Sequence, residues 1–324
     1  MGSLKKIRYL LFLILLYFAI SAIIHELPAL QKARNLLDEM NYSWIILAIL
    51  FQAGQYIGDG LLSQHLLRAI EIKLSFKDTF RIAAMNVFAA HLLPVGQAGA
   101  FATSYYFYQR LGVPSGAIVF LSLAWGIITN VLLVMLLLIS LSFLPNVSIP
   151  IDPSTQSLFM LVVIVAAISG LFAFRQKAKT VFWKVAHKKK LTKEIEKYMG
   201  AFKEYEQDAK REWRQILFGV TGAFIYFMSN IATLAFSFAA FGEFVSLPLL
   251  TFAYTASLLL GIITLAPAGI GATEATLILV FAQAQIDPAV SLAAILVFRL
   301  ITFWIPIPAG AMAYASLKRK TKVQ

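Results

Sequence analysis

Apolar runs long enough to cross a bilayer alternate with short polar stretches along this 324-residue chain. A hydrocarbon core about 30 Å thick takes about 20 apolar residues of helix. By that rule residues 7–24, 43–66, 115–141, 158–174, 215–241 and 289–317 predict six full spans. Residues 80–93 and 97–111 form a shorter apolar pair, and so do residues 249–266 and 270–285. A segment of about 15 residues reaches only about 22 Å as helix. Each pair is therefore expected to be a broken element, either a re-entrant hairpin or two half-helices. The predicted fold class is an all-α polytopic membrane protein with six full transmembrane spans plus two broken pairs.

The breaks have a recognisable chemistry. In the second, Pro267 lacks an N–H and opposes the helical turn before it, while Gly269 and Gly271 admit backbone angles that other residues resist. The first has the same Pro-x-Gly order in Pro94 and Gly96, with a second glycine at Gly99. Non-helical backbone at membrane depth is tolerated only within protein or along a wet cavity. Helix breaks at corresponding places in two halves point to a transporter-like binding site.

Charge sets the expected topology. Lys5, Lys6 and Arg8 precede the first span, residues 68–81 are basic, and Lys318, Arg319, Lys320 and Lys322 follow the last span. Residues 175–214 hold 13 of the 28 Lys and Arg residues against six acids, so orientation rests heavily on them. Residues 142–156 carry no Lys or Arg. With basic segments inside, both termini are cytoplasmic and the loops at 142–156 and 242–248 are external. The first broken pair then starts and ends inside and the second starts and ends outside, an inverted-repeat arrangement. The domains read as a first membrane half over 1–174, a linker over 175–214, a second half over 215–317, and a basic tail over 318–324. Leu191, Ile195, Tyr198, Phe202 and Tyr205 place an apolar stripe on the linker, so it reads first as a helix lying on the cytoplasmic surface against anionic membrane lipids, and otherwise as a site for a specific lipid headgroup.

Composition narrows the class further. Hydrophobic residues make up 60%, charged residues 14%, and the mean hydropathy is +0.77, which excludes an ordinary soluble domain. A net charge of +12 would suit nucleic acid, but it sits in loops between spans, so no nucleic-acid partner is expected. The absence of cysteine excludes disulfides and thiolate sites, and four scattered histidines show no metal-ligand spacing, so neither metal nor cofactor is expected.

Within the spans, ionisable residues are costly and mark functional sites by default. Glu274 follows the second break, and Arg299 lies in the last span. Arg299 matches a phosphate bidentately; Glu274 reads equally as its structural partner or as a direct participant. The glycines read either as packing residues or as a nest of N–H groups facing an anion. Asp59, on one face with Gln52 and Gln55, reads first as a packing or capping acid near the inner end of its helix. His91, three residues before Pro94, reads as a satisfied helix-interior histidine. Gln52, Gln55, Asn130 and Asn230 are expected to bond between helices.

Two signatures carry a resemblance. The first is Asn86 with Leu93-Pro94-Val95-Gly96 and Leu111-Gly112-Val113-Pro114. The second is Pro267-Ala268-Gly269-Ile270-Gly271-Ala272-Thr273-Glu274, followed by Arg299 and Trp304. The chain resembles, over nearly its whole length, the flippase-like membrane region of lysylphosphatidylglycerol synthases in its stand-alone form, without the aminoacyl-transferase domain. The first signature departs from the family pattern, with Gln97-Ala98-Gly99-Ala100 where an acid is common, which weighs against a mechanism using two carboxylates.

The resemblance implies a lipid translocator in the cell membrane, moving a phospholipid or polyprenyl-linked lipid. Its candidate binding residues are Pro94, Gly96, Gly99, Pro267, Gly269, Gly271, Glu274 and Arg299, with Asn86, His91, Asp59 and Trp304 secondary. Two alternatives stand beside it. One is a multispan glycosyl or acyl transferase with a lipid-linked donor, for which Asp38 and Glu39 are the adjacent external acids. The other is a non-transporting membrane partner of a synthase. A homodimer fits any of the three.

Overall fold

The structure, a computed structural model, describes residues 35–92, 97–144, 205–264 and 271–320. Every regular element among them is helical. The helices whose both ends are described are, in chain order, α1 (Tyr42–Ala69), α2 (Phe76–Leu92), α3 (Gln97–Arg110), α4 (Ser115–Phe143), α5 (Trp213–Ala239), α6 (Leu247–Thr264), α7 (Ala272–Gln283), α8 (Pro288–Arg299) and α9 (Pro306–Lys320). A π-helical turn, Leu300–Trp304, joins α8 to α9. Four of these helical stretches are long and apolar enough to cross a membrane: α1, α4, α5, and the continuous run Pro288–Lys320. They match four of the six expected spans. The spans expected at 7–24 and 158–174 lie outside the described residues, as does residues 175–204 of the linker. The short pairs α2–α3 and α6–α7 fall where the broken elements were expected, with α2 starting at Phe76 rather than residue 80.

The centre of the bundle is the antiparallel pair α1 and α5. Near one end the Asn41 N–H donates to the Ala240 carbonyl at 2.8 Å; near the other His65 Nδ1 and Gln215 Oε1 are 2.8 Å apart. Between them the backbones touch. A Cβ built on Gly58 would lie 2.5 Å from the Gly222 carbonyl oxygen, and one on Gly222 would lie 2.7 Å from that of Gly58. Gly54 faces the Ser229 hydroxyl in the same seam. Lipid tails are as apolar as leucine, so close packing of small residues, rather than expulsion from water, holds such helices together.

A second antiparallel pair, α2 and α9, packs alongside. Gly310 lies against Phe88 and the Ala84 carbonyl, and Lys320 meets Asp78. Two large apolar clusters flank these pairs. One is centred on Leu137, Leu234, Phe238, Ala253, Phe281 and Phe298, the other on Leu62, Leu67, Met85, Phe107 and Ile118. Tyr205, from the linker's apolar stripe, packs on Phe120 of α4 with ring centroids 6.3 Å apart.

The π turn has a cause in the sequence. Pro306 has no N–H for the carbonyl one turn back and its ring crowds that turn. The helix widens just before it, and the Ile305 N–H bonds five residues back to the Leu300 carbonyl at 3.0 Å. Such local widening is a recognised way for a helix to pass a proline.

Four helices end in the same cap, in which a residue with positive φ lets its own N–H and the next bond back to the last turn. Gly112 (φ +84°) and Gly242 (φ +79°) do this without a Cβ; Glu71 (φ +62°) and Gln285 (φ +59°) do it with one. The left-handed conformation costs a non-glycine residue about 1 kcal/mol. Glu71→Gly and Gln285→Gly are therefore each expected to raise the midpoint of thermal unfolding in detergent, and Gly112→Ala to lower it. A fall in both glycine variants counts against the caps as sites of strain.

Candidate functional site

The residues flanking the two breaks meet at the π turn. Gly271 begins α7 in a left-handed conformation, φ +83°, with nothing within 4 Å of where a Cβ would stand. Its positive φ serves backbone geometry, and among the described residues it packs against no helix. Its N–H donates to Glu274 Oε2 at 2.8 Å, so the carboxylate reaches back over the first turn of its own helix. Acids are favoured there by the positive helix end and the open N–H groups. The other oxygen, Oε1, accepts from Arg299 Nε at 2.6 Å. The side chains of this pair are 15% (Arg299) and 30% (Glu274) exposed, enough for a solute to reach. The pair joins the second broken element to the last helical stretch.

The first broken element arrives from the other side. Arg299 lies 6.0 Å from the centroid of the Phe303 ring, and His91 stacks on that ring with centroids 4.3 Å apart and planes at 21°. Phe303 thus lies between the last arginine of α8 and the histidine just before the first break. His91 Nδ1 is buried and has no hydrogen-bond partner among the described residues, while the imidazole bonds the Phe303 backbone, so the expectation of a satisfied histidine is met only in part. It is a ring-stacked residue with an unused nitrogen. Trp304, next on the turn, is 61% exposed on the outside of the bundle.

The remaining candidates divide. Pro94, Gly96, Pro267 and Gly269 lie outside the described residues. Gly99 is in the first turn of α3, where its carbonyl accepts from the Thr103 hydroxyl. Asn86 bonds the Ser104 hydroxyl and ties α2 to α3. Asp59 stands apart from the cluster. It is buried in the interior of α1, where Oδ1 accepts from Trp125 Nε1 at 2.7 Å, so it packs between helices and caps none. Asn130 and Asn230 bond carbonyls of their own helices, Gly126 and Tyr226, and among the described residues neither bonds another helix as expected. Gln52 does bond across, accepting from Thr233 at 3.3 Å, and it donates to Gln55 within α1.

Two features of the cluster's framework were not anticipated. Phe303 carried no signal beyond standing four residues after Arg299. The π turn did carry one: Pro306 and Pro308 inside a continuous apolar run. Among the described residues no group of three or more His, Asp or Glu side chains is placed to hold a metal ion.

A separate ionic contact closes the far end of the bundle. Lys320 Nζ lies 2.8 and 2.7 Å from the two oxygens of Asp78, and the Ser75 hydroxyl donates to Oδ2 at 2.6 Å. Burial raises the Asp78 pKa, but the bonds from Lys320 and Ser75 and the charges of Lys320 and Arg81 outweigh it, so the carboxyl sits below its ordinary value. A depressed folded-state pKa gives stability that is full above the unfolded value, about 3.9, and is lost as pH falls through the folded one. Lys320→Met should therefore lower unfolding temperature at pH 7 and have less effect below about pH 3. An equal effect at both pH values would show that this pair does not contribute through charge.

Four helical stretches long and apolar enough to cross a membrane, with shorter apolar helices packed among them, define a multi-pass membrane protein. The chain belongs to the family described as lysylphosphatidylglycerol synthase TM region, whose pattern matches residues 7–310. It is similar to a UPF0104 membrane protein of Methanocaldococcus jannaschii, at 22% identity over 99% of this chain and 98% of that one. It is also similar to a UPF0104 membrane protein of Methanothermobacter thermautotrophicus, at 28% identity over 132 residues. That alignment spans 41% of this chain and 39% of the relative.

Proposed function

We propose that this chain translocates a phosphate-bearing lipid headgroup between the leaflets of a cell membrane. The observation that carries the reading is the meeting of Glu274, Arg299, Phe303 and His91, which joins the flanks of both helix breaks at one turn. A guanidinium bonded to a carboxylate at a helix start is suited to exchange that carboxylate for a phosphate. Arg offers planar paired donors, and the helix end adds a positive field. In this reading the two broken pairs enter from opposite faces as inverted repeats, and the basic helix ends face the cytoplasm. The candidate ligands are a phospholipid or a polyprenyl-linked lipid; anionic lipid at the linker and a partner synthase or second copy are further proposed partners.

The test is reconstitution of the full chain into liposomes carrying headgroup-labelled phospholipid, with a membrane-impermeant quencher added outside. The expected result is protein-dependent quenching beyond the outer-leaflet fraction, lost in Arg299→Ala. Quenching limited to the outer leaflet for every phosphate lipid tried would rule the reading out.

A further inference from the structure

Away from the π turn, α1 carries a second group of buried polar side chains. Gln52, Gln55, Asp59 and Ser63 recur at spacings of three and four, so they share one face of the helix. All four are buried, and the file runs about 16 Å along α1. It is tied to its neighbours at both ends. Thr233 of α5 donates to Gln52, which donates to Gln55, and the Tyr108 hydroxyl of α3 meets that of Ser63. Asp59 is the one ionisable member of the file.

The surroundings of Asp59 are neutral. On α4, Trp125 Nε1 donates to Oδ1 at 2.7 Å, and that helix carries no Asp, Glu, Lys, Arg or His. The titratable groups around it are phenols: Tyr56 on α1, Tyr108 on α3 and Tyr226 on α5. The Tyr226 nitrogen would lie 2.5 Å from a Cβ on the neighbouring Gly58. His65, further along α1, is bonded to Gln215. On α2, Phe76 and Phe80 face Gly60. The charged residues where α2 begins and α9 ends are Lys77, Asp78, Arg81, Lys318, Arg319 and Lys320. Asp78 and Lys320 bond each other, and none of the six acts on Asp59.

Packing alone does not account for an acid here. An asparagine would accept from Trp125 equally well, without the cost of a charge in an apolar bundle. What the carboxyl adds is an exchangeable proton, and buried acids in polar files are the parts from which membrane proton relays are built. The file also reaches towards the headgroup arginine. Tyr226 and Tyr254 of α6 belong to one apolar cluster, and Tyr254 stands against Phe298, the residue before Arg299, with ring centroids 6.3 Å apart. Tyr226 lies within electrostatic reach of Asp59, and Tyr254 within that of Tyr226 and Arg299.

We infer that Asp59 is a proton-exchanging group through which a proton gradient acts on lipid movement, an inference that rests on the translocation reading above. Oδ2, which takes no bond from Trp125, accepts a proton from water on one side and returns it to water on the other. No other bond is made or broken, and the charge left on Asp59 is felt at Arg299 across Tyr226 and Tyr254.

The test has two parts, both on the full chain. In detergent, the wild type is treated with a lipophilic carbodiimide, which reacts with protonated carboxyls in apolar surroundings, and adducts are located by peptide mass spectrometry. The expected result is an adduct on Asp59 that forms more slowly as pH rises. In liposomes with headgroup-labelled phospholipid, flip rates are compared with and without a gradient of about one pH unit, which is worth up to about tenfold in rate for one proton. The wild-type ratio should be severalfold and should fall to unity in Asp59→Asn, while Asp59→Glu and Glu274→Gln keep a gradient response. No adduct on Asp59 at any pH overturns the inference. So does a wild-type ratio in Asp59→Asn, or a wild type that flips lipid at one rate with and without the gradient. If no lipid moves in the wild type, the translocation reading is what falls, and the carbodiimide result decides whether Asp59 exchanges protons. If Asp59→Asn does not fold, the adduct and the Asp59→Glu ratio decide.

Discussion

Arg299→Ala is expected to remove most of the affinity for phosphate-bearing lipid, and Glu274→Gln to increase it. The two substitutions act on the same bond from opposite ends. Glu274 accepts from Arg299 at 2.6 Å and from Gly271 at 2.8 Å, so under the proposed function it is the group that a lipid phosphate displaces. Without its charge the arginine is held less firmly; phosphate binds more tightly and leaves more slowly, so transport slows while affinity rises. Without Arg299 the phosphate keeps only the helix end. Charge-assisted bonds of this kind contribute about 1.5–3 kcal/mol each, so a loss on the order of 10- to 100-fold in affinity is expected. Arg299→Lys should recover part of it, because an ammonium keeps the charge without the paired geometry.

A competing scheme makes Glu274 a proton carrier. It predicts near-normal binding in Glu274→Gln and loss of any dependence on a pH gradient, with lipid binding spared in Arg299→Ala. Headgroup-lipid affinity and flip rate for both variants, with and without a pH gradient, separate the two. Removing one member of a half-buried pair also strains the fold, so the folded fraction must be followed by size-exclusion chromatography. Wild-type affinity and rate in both variants would remove the pair from the mechanism.

That pairing was legible in the sequence because charge inside a membrane has few solutions. An acid and an arginine in neighbouring apolar stretches are expected to find each other, since the alternative leaves each uncompensated. The helical spans were legible for a similar reason: the bilayer fixes their length and polarity. What joins the two breaks was not legible. Phe303 is one of 26 phenylalanines, and nothing local distinguishes a ring that stacks on His91 from one that faces lipid. Asn130 and Asn230 misled for the opposite reason. An amide inside a span has two ways to be satisfied, across to another helix or back to its own carbonyls, and the sequence does not choose between them. Pro306 did announce a disturbance in the last span, but its form, a widened turn, depends on the backbone yielding before the proline and not at it.

The largest stability effect is expected from one methyl group. Gly54 and Gly58 stand four residues apart on one face of α1, the small-xxx-small spacing that lets two membrane helices approach backbone to backbone. A Cβ on Gly58 would lie 2.5 Å from both the Gly222 carbonyl oxygen and the Tyr226 nitrogen. Those are main-chain atoms of α5, which cannot rotate away as a side chain would. Gly58→Ala must therefore push α1 and α5 apart, and the displacement propagates to the Asp59–Trp125 bond beside it and to the Gln52–Thr233 contact along the same seam. Overpacking of this kind costs about 1–3 kcal/mol, and loss of the coupled contacts adds to it. Gly222→Ala, whose Cβ would lie 2.7 Å from the Gly58 oxygen and the Leu62 nitrogen, should fail in the same way. The control is Gly126→Ala on α4, where a Cβ meets nothing within 4 Å among the described residues. Alanine is the better helix former by about 1 kcal/mol in water, so this variant should unfold at the same temperature as the parent or slightly higher. Thermal unfolding in detergent, with monodispersity measured before heating, compares all three. Equal unfolding temperatures would mean that α1 and α5 do not meet at Gly58 and Gly222.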